Sequence, residues 1–128
     1  MKKKTILIVD DDFDYLIQQK MHIEGWGYHV ITADNQLEAE EILNNTKPDL
    51  AILDLMMESD DSGFILSYKL KNKYPDVPVI ISTAVSAETG ISFGLGSDEE
   101  QSWIKADQYL EKGIRPEQMK MEIEKLIK

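Results

Sequence analysis

The chain has 128 residues, 42% hydrophobic and 30% charged, which is enough for one ordinary core and unlike a disordered tail. Twenty-four acidic residues against fourteen basic ones give a formal net charge of -10, which excludes binding nucleic acid through a basic face. Cysteine is absent, so disulfides, thiolate zinc sites and cysteine nucleophiles are excluded as well, as suits a reducing cytoplasm. At the N-terminus three lysines precede the apolar run Ile6-Leu7-Ile8-Val9, which stops at Asp10. A signal peptide needs about 7–15 apolar residues and a membrane span about 18. A soluble, cytoplasmic protein without membrane insertion is expected.

In chain order, short β-branched runs alternate with helical patterns. Thr5–Val9 reads as a strand apolar on both faces, the mark of a parallel sheet buried between helices. Asp12 is an N-cap candidate for a helix carrying Phe13, Leu16, Ile17, Lys20 and Met21 at 3.6-residue spacing and ending near Gly25 or Gly27. A strand follows at His29–Thr32, then a helix started by a capping box of Asn35 and Glu38. Leu50–Leu53 is the third strand, Ser62–Lys73 the third helix and Val79–Ser82 the fourth strand. After a weaker strand at Gln108–Leu110, the last helix begins at Pro116 and places Met119, Ile123, Leu126 and Ile127 on one face. Strict alternation implies an α/β fold with an open parallel sheet covered on both sides.

The segment Ser86–Lys105 breaks this rhythm. Gly90, Gly94 and Gly96 each cost about 1 kcal/mol in a helix interior, so the expected fourth helix is shortened, displaced or preceded by a long loop. Ser97 and Glu100 offer caps for a short helix reaching Trp103.

In open α/β sheets the functional crevice lies beyond the carboxyl ends of the strands. The first strand runs into Asp10-Asp11-Asp12, the third into Asp54, the fourth into Thr83 and the fifth toward Lys112. Asp12 and Asp14 read as helix-start residues. Asp54 is different, because it interrupts the apolar stretch AILDLMM, where a charge is costly unless paired or bound to metal. Clustered carboxylates repel by roughly 1 kcal/mol per pair in water and by several times that at lower effective dielectric. A hard divalent cation relieves the repulsion, and oxygen-only ligands point to magnesium or manganese. Such a site suits phosphoryl chemistry, with Thr83 donating to one phosphoryl oxygen and Lys112 pairing with another.

The runs ILIVDDD at 6–12, PDLAILDLMM at 48–57, SGFILSYKLK at 62–71, PVIISTA at 78–84 and YLEK at 109–112 together resemble the response-regulator receiver domain of two-component signalling. The resemblance implies a flavodoxin-like (βα)5 doubly wound sandwich with a five-stranded parallel sheet in the order 2-1-3-4-5 and an atypical fourth helix region. It implies that Asp54 takes a phosphoryl group from the phosphohistidine of a histidine kinase or phosphotransfer protein. It assigns Asp10, Asp11, Asp54 and the Met56 carbonyl to Mg2+ (or Mn2+), Thr83 and Lys112 to phosphoryl contact, and Tyr109 to the switch that changes binding of a downstream protein. On this reading residues 1–128 form one receiver domain without an output domain, catalysing only its own phosphorylation and dephosphorylation.

Departures from the family pattern are also present. Glu58 stands where a proline is usual, the loop Glu58-Ser59-Asp60-Asp61-Ser62 before Gly63 is one residue longer than the family pattern, and Gly113 replaces the usual proline after Lys112. The separation from Thr83 to Lys112 is unusually large, which bears on partner choice. His22 and His29 lack a phosphodonor pattern and read as surface or packing residues, and Trp26 and Trp103 read as packing residues. The alternatives are a docking module that never uses phosphate, or an aspartate-nucleophile phosphatase with Asp10 as nucleophile and Asp12 as acid/base. The second lacks the expected residue at Asp14 and is short for such a fold.

Overall fold

The computed structural model describes residues 3–55, 62–83 and 107–127. In chain order its elements are β1 (Thr5–Val9), α1 (Phe13–Gly25), β2 (His29–Ala33), α2 (Gln36–Asn45), β3 (Leu50–Asp54), α3 (Ser62–Lys73), β4 (Val79–Thr83), β5 (Gln108–Glu111) and α4 (Pro116–Leu126). The five strands form one sheet in the order β2-β1-β3-β4-β5, and every pairing is parallel. The fold class is therefore the α/β one that the sequence pattern implies, with the flavodoxin-like strand order that the resemblance implies. The expected irregular segment at 86–105 lies outside the described residues.

The period of two along each strand divides the core into two faces. Leu7, Val9, Ala51, Leu53, Val79 and Ile81 pack with Ala39 and Leu43 of α2 and Leu66 and Leu70 of α3. Ile6, Ile8, Leu50, Ile52 and Ile80 pack on the other side with Leu16 and Ile23 of α1 and Met119 and Ile123 of α4. Burial on both faces is why β1 and β3 read as continuous apolar runs rather than alternating ones.

Helix starts follow the sequence closely. Asp12 Oδ1 accepts from the Tyr15 N–H at 3.1 Å and caps α1, and Asn35 Oδ1 accepts from the Glu38 N–H at 2.8 Å and caps α2. Glu38 returns a bond to the Asp34 N–H at 2.9 Å, one residue earlier than the usual box. Pro116 opens α4, whose N-cap Arg115 makes no side-chain cap bond. Gly27, at φ 99°, takes the left-handed conformation that turns the end of α1 toward β2. Trp26 packs against the α1–α4 side of the core, whereas His22 and His29 are exposed.

Two sequence expectations need correction. Four strands run one residue further than their apolar runs, so Asp54 and Thr83 are the last residues of β3 and β4 rather than the first beyond them. The ladder continues there through the Leu55 N–H, which donates to the Ser82 carbonyl at 2.9 Å. The apolar face of α1 also differs: Leu16 and Ile23 are buried, while Phe13 and Met21 are each 67% exposed. At about 100° per residue, the Phe13-Ile17-Met21 stripe lies about 110° around the helix from Leu16 and Ile23. Helical spacing alone does not say which of two apolar stripes meets the sheet.

Gly63, at the start of α3, is pressed against the end of β3. Its N–H donates to the Leu55 carbonyl at 2.9 Å, and a Cβ added there would lie 2.5 Å from the Asp54 carbonyl oxygen and 2.7 Å from the Leu55 Cα. Both obstacles are backbone, so neither can swing aside. Gly63→Ala is expected to destabilise the fold by about 1–3 kcal/mol in urea unfolding, as overpacking does. Gly25→Ala, where nothing lies within 4 Å, should leave stability unchanged or slightly higher. Equal effects of the two substitutions would contradict the close packing of α3 on β3.

Candidate functional site

The sheet order reverses direction at β1 and β3, and the crevice beyond their carboxyl ends is the site. The Asp10 N–H donates to the Ala33 carbonyl at 3.1 Å, which holds Asp10 in line with β1 although the strand ends at Val9. Its side chain is buried, and Asp10 Oδ1 accepts from the Asp12 N–H at 2.8 Å. That turn directs Asp12 to cap α1 and leaves Asp11 exposed at the rim. Asp54 closes β3, is buried and sits in register with Ser82 of β4.

One carboxylate oxygen from each of Asp10, Asp11 and Asp54 lies within 4.8 Å of the others. Lys112, in the turn after β5, reaches into the same place. Its Nζ lies 2.9 Å from Asp10 Oδ2 and 3.3 Å from Asp54 Oδ1. Residues distant in sequence thus converge on one ammonium.

Burial pushes the Asp10 carboxyl above its ordinary value, only partly offset by Lys112 and the Asp12 N–H. For Lys112 burial acts downward, but its pairing with Asp10 and Asp54 prevails and raises the net value, so the ammonium stays charged. Asp10 Oδ2 is buried and makes no aligned hydrogen bond, although it lies within ion-pair distance of Lys112. An under-coordinated buried oxygen among three carboxylates, with no nitrogen or sulfur donor, is a donor set that a hard divalent cation fits.

Two neighbours of the site were not singled out from the sequence. The Tyr15 ring lies under Lys112, with Nζ 5.0 Å from the ring centroid. The Tyr15 hydroxyl is 3.4 Å from Ser82 Oγ, and Ser82 is 1% exposed. The only sequence signal was a serine ending the apolar run VIIS.

Of the remaining expected site residues, Tyr109 lies in β5, in register with Ile81, and is half-buried against the α2–α3 side of the core. Burial pushes its phenol up to about 12. The Thr83 backbone ends β4 opposite Glu111, while its side chain lies outside what the structure describes. Met56, Glu58 and Trp103 also lie outside the described residues.

Residues 6–124 match the response regulator receiver domain family. Among curated relatives, the heme response regulator HssR of Staphylococcus haemolyticus is 33% identical over 123 residues, covering 95% of this chain and 50% of its own length. The phosphate regulon transcriptional regulatory protein PhoB of Pseudomonas aeruginosa is 33% identical over 121 residues, covering 93% of this chain and 49% of its own. The chain therefore spans about half the length of these relatives.

Among solved structures, a CheY-like receiver domain protein from Methanospirillum hungatei superposes with a TM-score of 0.80 at 29% identity, covering 98% of this chain and 94% of that one. The response regulator TrrA of Thermotoga maritima, in complex with Mg2+–BeF, gives 0.78 at 29% identity, covering 96% and 98%. With the sheet order, the acidic cluster at the switch point and a match over nearly its whole length, this chain belongs to the receiver domain family of the response regulators of two-component signalling.

Proposed function

We propose that Asp54 is the phosphoacceptor of this receiver domain and that Asp10, Asp11 and Asp54 hold the magnesium ion that phosphorylation requires, with the Met56 carbonyl as a further ligand. The carrying observation is the convergence of three carboxylates within 4.8 Å on the strand ends where Lys112 also arrives. The Mg2+–BeF complex of the Thermotoga relative supports the choice of cation. Bound magnesium supplies neutralisation of phosphoryl oxygen charge.

The phosphodonor is the phosphohistidine of a histidine kinase or phosphotransfer protein. An Asp54 carboxylate oxygen attacks phosphorus, the new O–P bond forms as the donor N–P bond breaks, and the departing imidazole keeps the electron pair. Lys112 pairs with a phosphoryl oxygen, and Thr83 donates to another. Tyr109 carries the change to the neighbouring surface and to a downstream protein. The chain catalyses only its own phosphorylation and dephosphorylation, in the cytoplasm; among the described residues, no helix is long and apolar enough to cross a membrane.

Intact-mass measurement after incubation with Mg2+ and phosphoramidate is expected to add one phosphoryl group to the wild type, none to Asp54→Asn, and little or none to Asp11→Asn. Phosphate on Asp54→Asn would overturn the acceptor assignment. Undiminished phosphorylation of Asp11→Asn would remove Asp11 from the metal site.

The acidic cluster also sets a pH dependence in metal-free protein. Burial raises the folded-state pKa of Asp10 above 3.8, so the native state holds this proton more tightly than the unfolded chain. Stability contributed through Asp10 is therefore fully present below 3.8 and lost as pH rises through the folded value. Asp10→Asn is expected to raise the urea midpoint at neutral pH, where the carboxylate is charged. Lys112 then keeps Asp54 as its partner. The gain should shrink as pH is lowered to about 4. A gain that does not vary with pH would show that the Asp10 charge is not its source.

A further inference from the structure

Lys112 stands on a short turn and is followed by Gly113, around which a Cβ would meet nothing within 4 Å. Its four-carbon stem is flexible, and both carboxylates draw the ammonium without defining its approach to either. Tyr15 adds a third contact. The first turn of α1 holds its backbone through the Asp12 cap at 3.1 Å, and its hydroxyl lies 3.4 Å from Ser82 Oγ. Ser82 is in turn the register partner of Asp54. Hydrogen bonds thus link Asp10 to Asp12, Asp12 to Tyr15 and Tyr15 to Ser82 beside Lys112, and Ser82 neighbours Asp54 across the β3–β4 ladder.

We propose that Tyr15 is a positioning residue whose ring face fixes the Lys112 ammonium beside Asp54 and thereby sets the rate of Asp54 phosphorylation. The inference rests on the proposed role of Lys112 in phosphoryl contact. The negative face of an aromatic ring attracts an ammonium lying over it, an effect that strengthens as the pair loses water. Lys112 is 20% exposed, so part of that strengthening applies. An aliphatic side chain at position 15 would fill the same space without this attraction. Burial raises the Tyr15 phenol above its ordinary value, partly offset by Ser82, so the ring stays neutral at neutral pH.

The test replaces Tyr15 in the full chain by Phe and by phenylalanines carrying one, two and three ring fluorines, which weaken the ring quadrupole at nearly constant shape. Two quantities are read: the initial rate of phosphorylation by phosphoramidate with Mg2+, and the 15N-detected signal of the Lys112 ammonium without a phosphodonor. Tyr15→Phe, which keeps the ring and loses the hydroxyl, should phosphorylate within about twofold of the wild type. The fluorinated series should slow stepwise to about fivefold, with progressive weakening of the ammonium signal. Tyr15→Leu should resemble the trifluorinated variant. Equal rates across the series would overturn the proposal even if Tyr15→Leu fails to fold. If the wild type acquires no phosphate on Asp54, the functional reading fails, and the ammonium signal decides the placement separately. A signal that ignores fluorination overturns the placement.

Discussion

Asp10 and Asp54 are buried side by side at the end of a sheet whose other buried residues are nearly all apolar, and that arrangement requires a cation. Two carboxylates less than 5 Å apart repel by about 3 kcal/mol at an effective dielectric near 20, before the cost of removing them from water. Lys112 meets both with one ammonium, its long side chain reaching past the end of β4 from the turn after β5. The neutralisation is incomplete. Asp10 remains above its ordinary pKa, and Asp10 Oδ2 lacks an aligned hydrogen bond. The apolar sheet therefore ends in a centre of uncompensated negative charge, where a further cation is favoured.

The scaffold around that centre keeps the carboxylates from moving apart. Gly63 allows the start of α3 to press on the Asp54 backbone, and the Leu55 N–H extends the β3–β4 ladder beyond Asp54. On the other side, the Asp10 carboxylate accepts from the Asp12 N–H, and Asp12 caps α1. Each acidic residue is thus tied to the helix that follows its strand.

Strand β5 and the turn that follows it carry two different parts of the system. Tyr109 packs with the α2–α3 side of the core, whereas Lys112 turns in to the carboxylates. At the start of the same strand, Asp107 accepts from the Val79 N–H at 2.8 Å and pairs with Lys71 at 2.7 Å. These contacts fasten the beginning of β5 to β4 and α3, leaving Lys112 at its other end beside the site. Strand order thus places a half-buried aromatic within β5 and the site ammonium in the turn just beyond it.

The sequence by itself determined the elements, because both local periods were strong. Strands buried on two faces read as unbroken apolar runs, and the caps at Asp12 and Asn35 marked helix starts through bonds that span only three residues. The acidic edge was legible for a similar reason: an aspartate in AILDLMM conflicts with its own neighbours. Only the tertiary structure decided which apolar stripe of α1 meets the sheet, since Leu16–Ile23 and Phe13–Ile17–Met21 are both compatible with a helix. It also brought together Tyr15 and Ser82, 67 residues apart, and set the Tyr15 ring under Lys112. Such contacts depend on the register of nonadjacent segments and on side-chain directions across the sheet edge, and local periodicity carries no information about either.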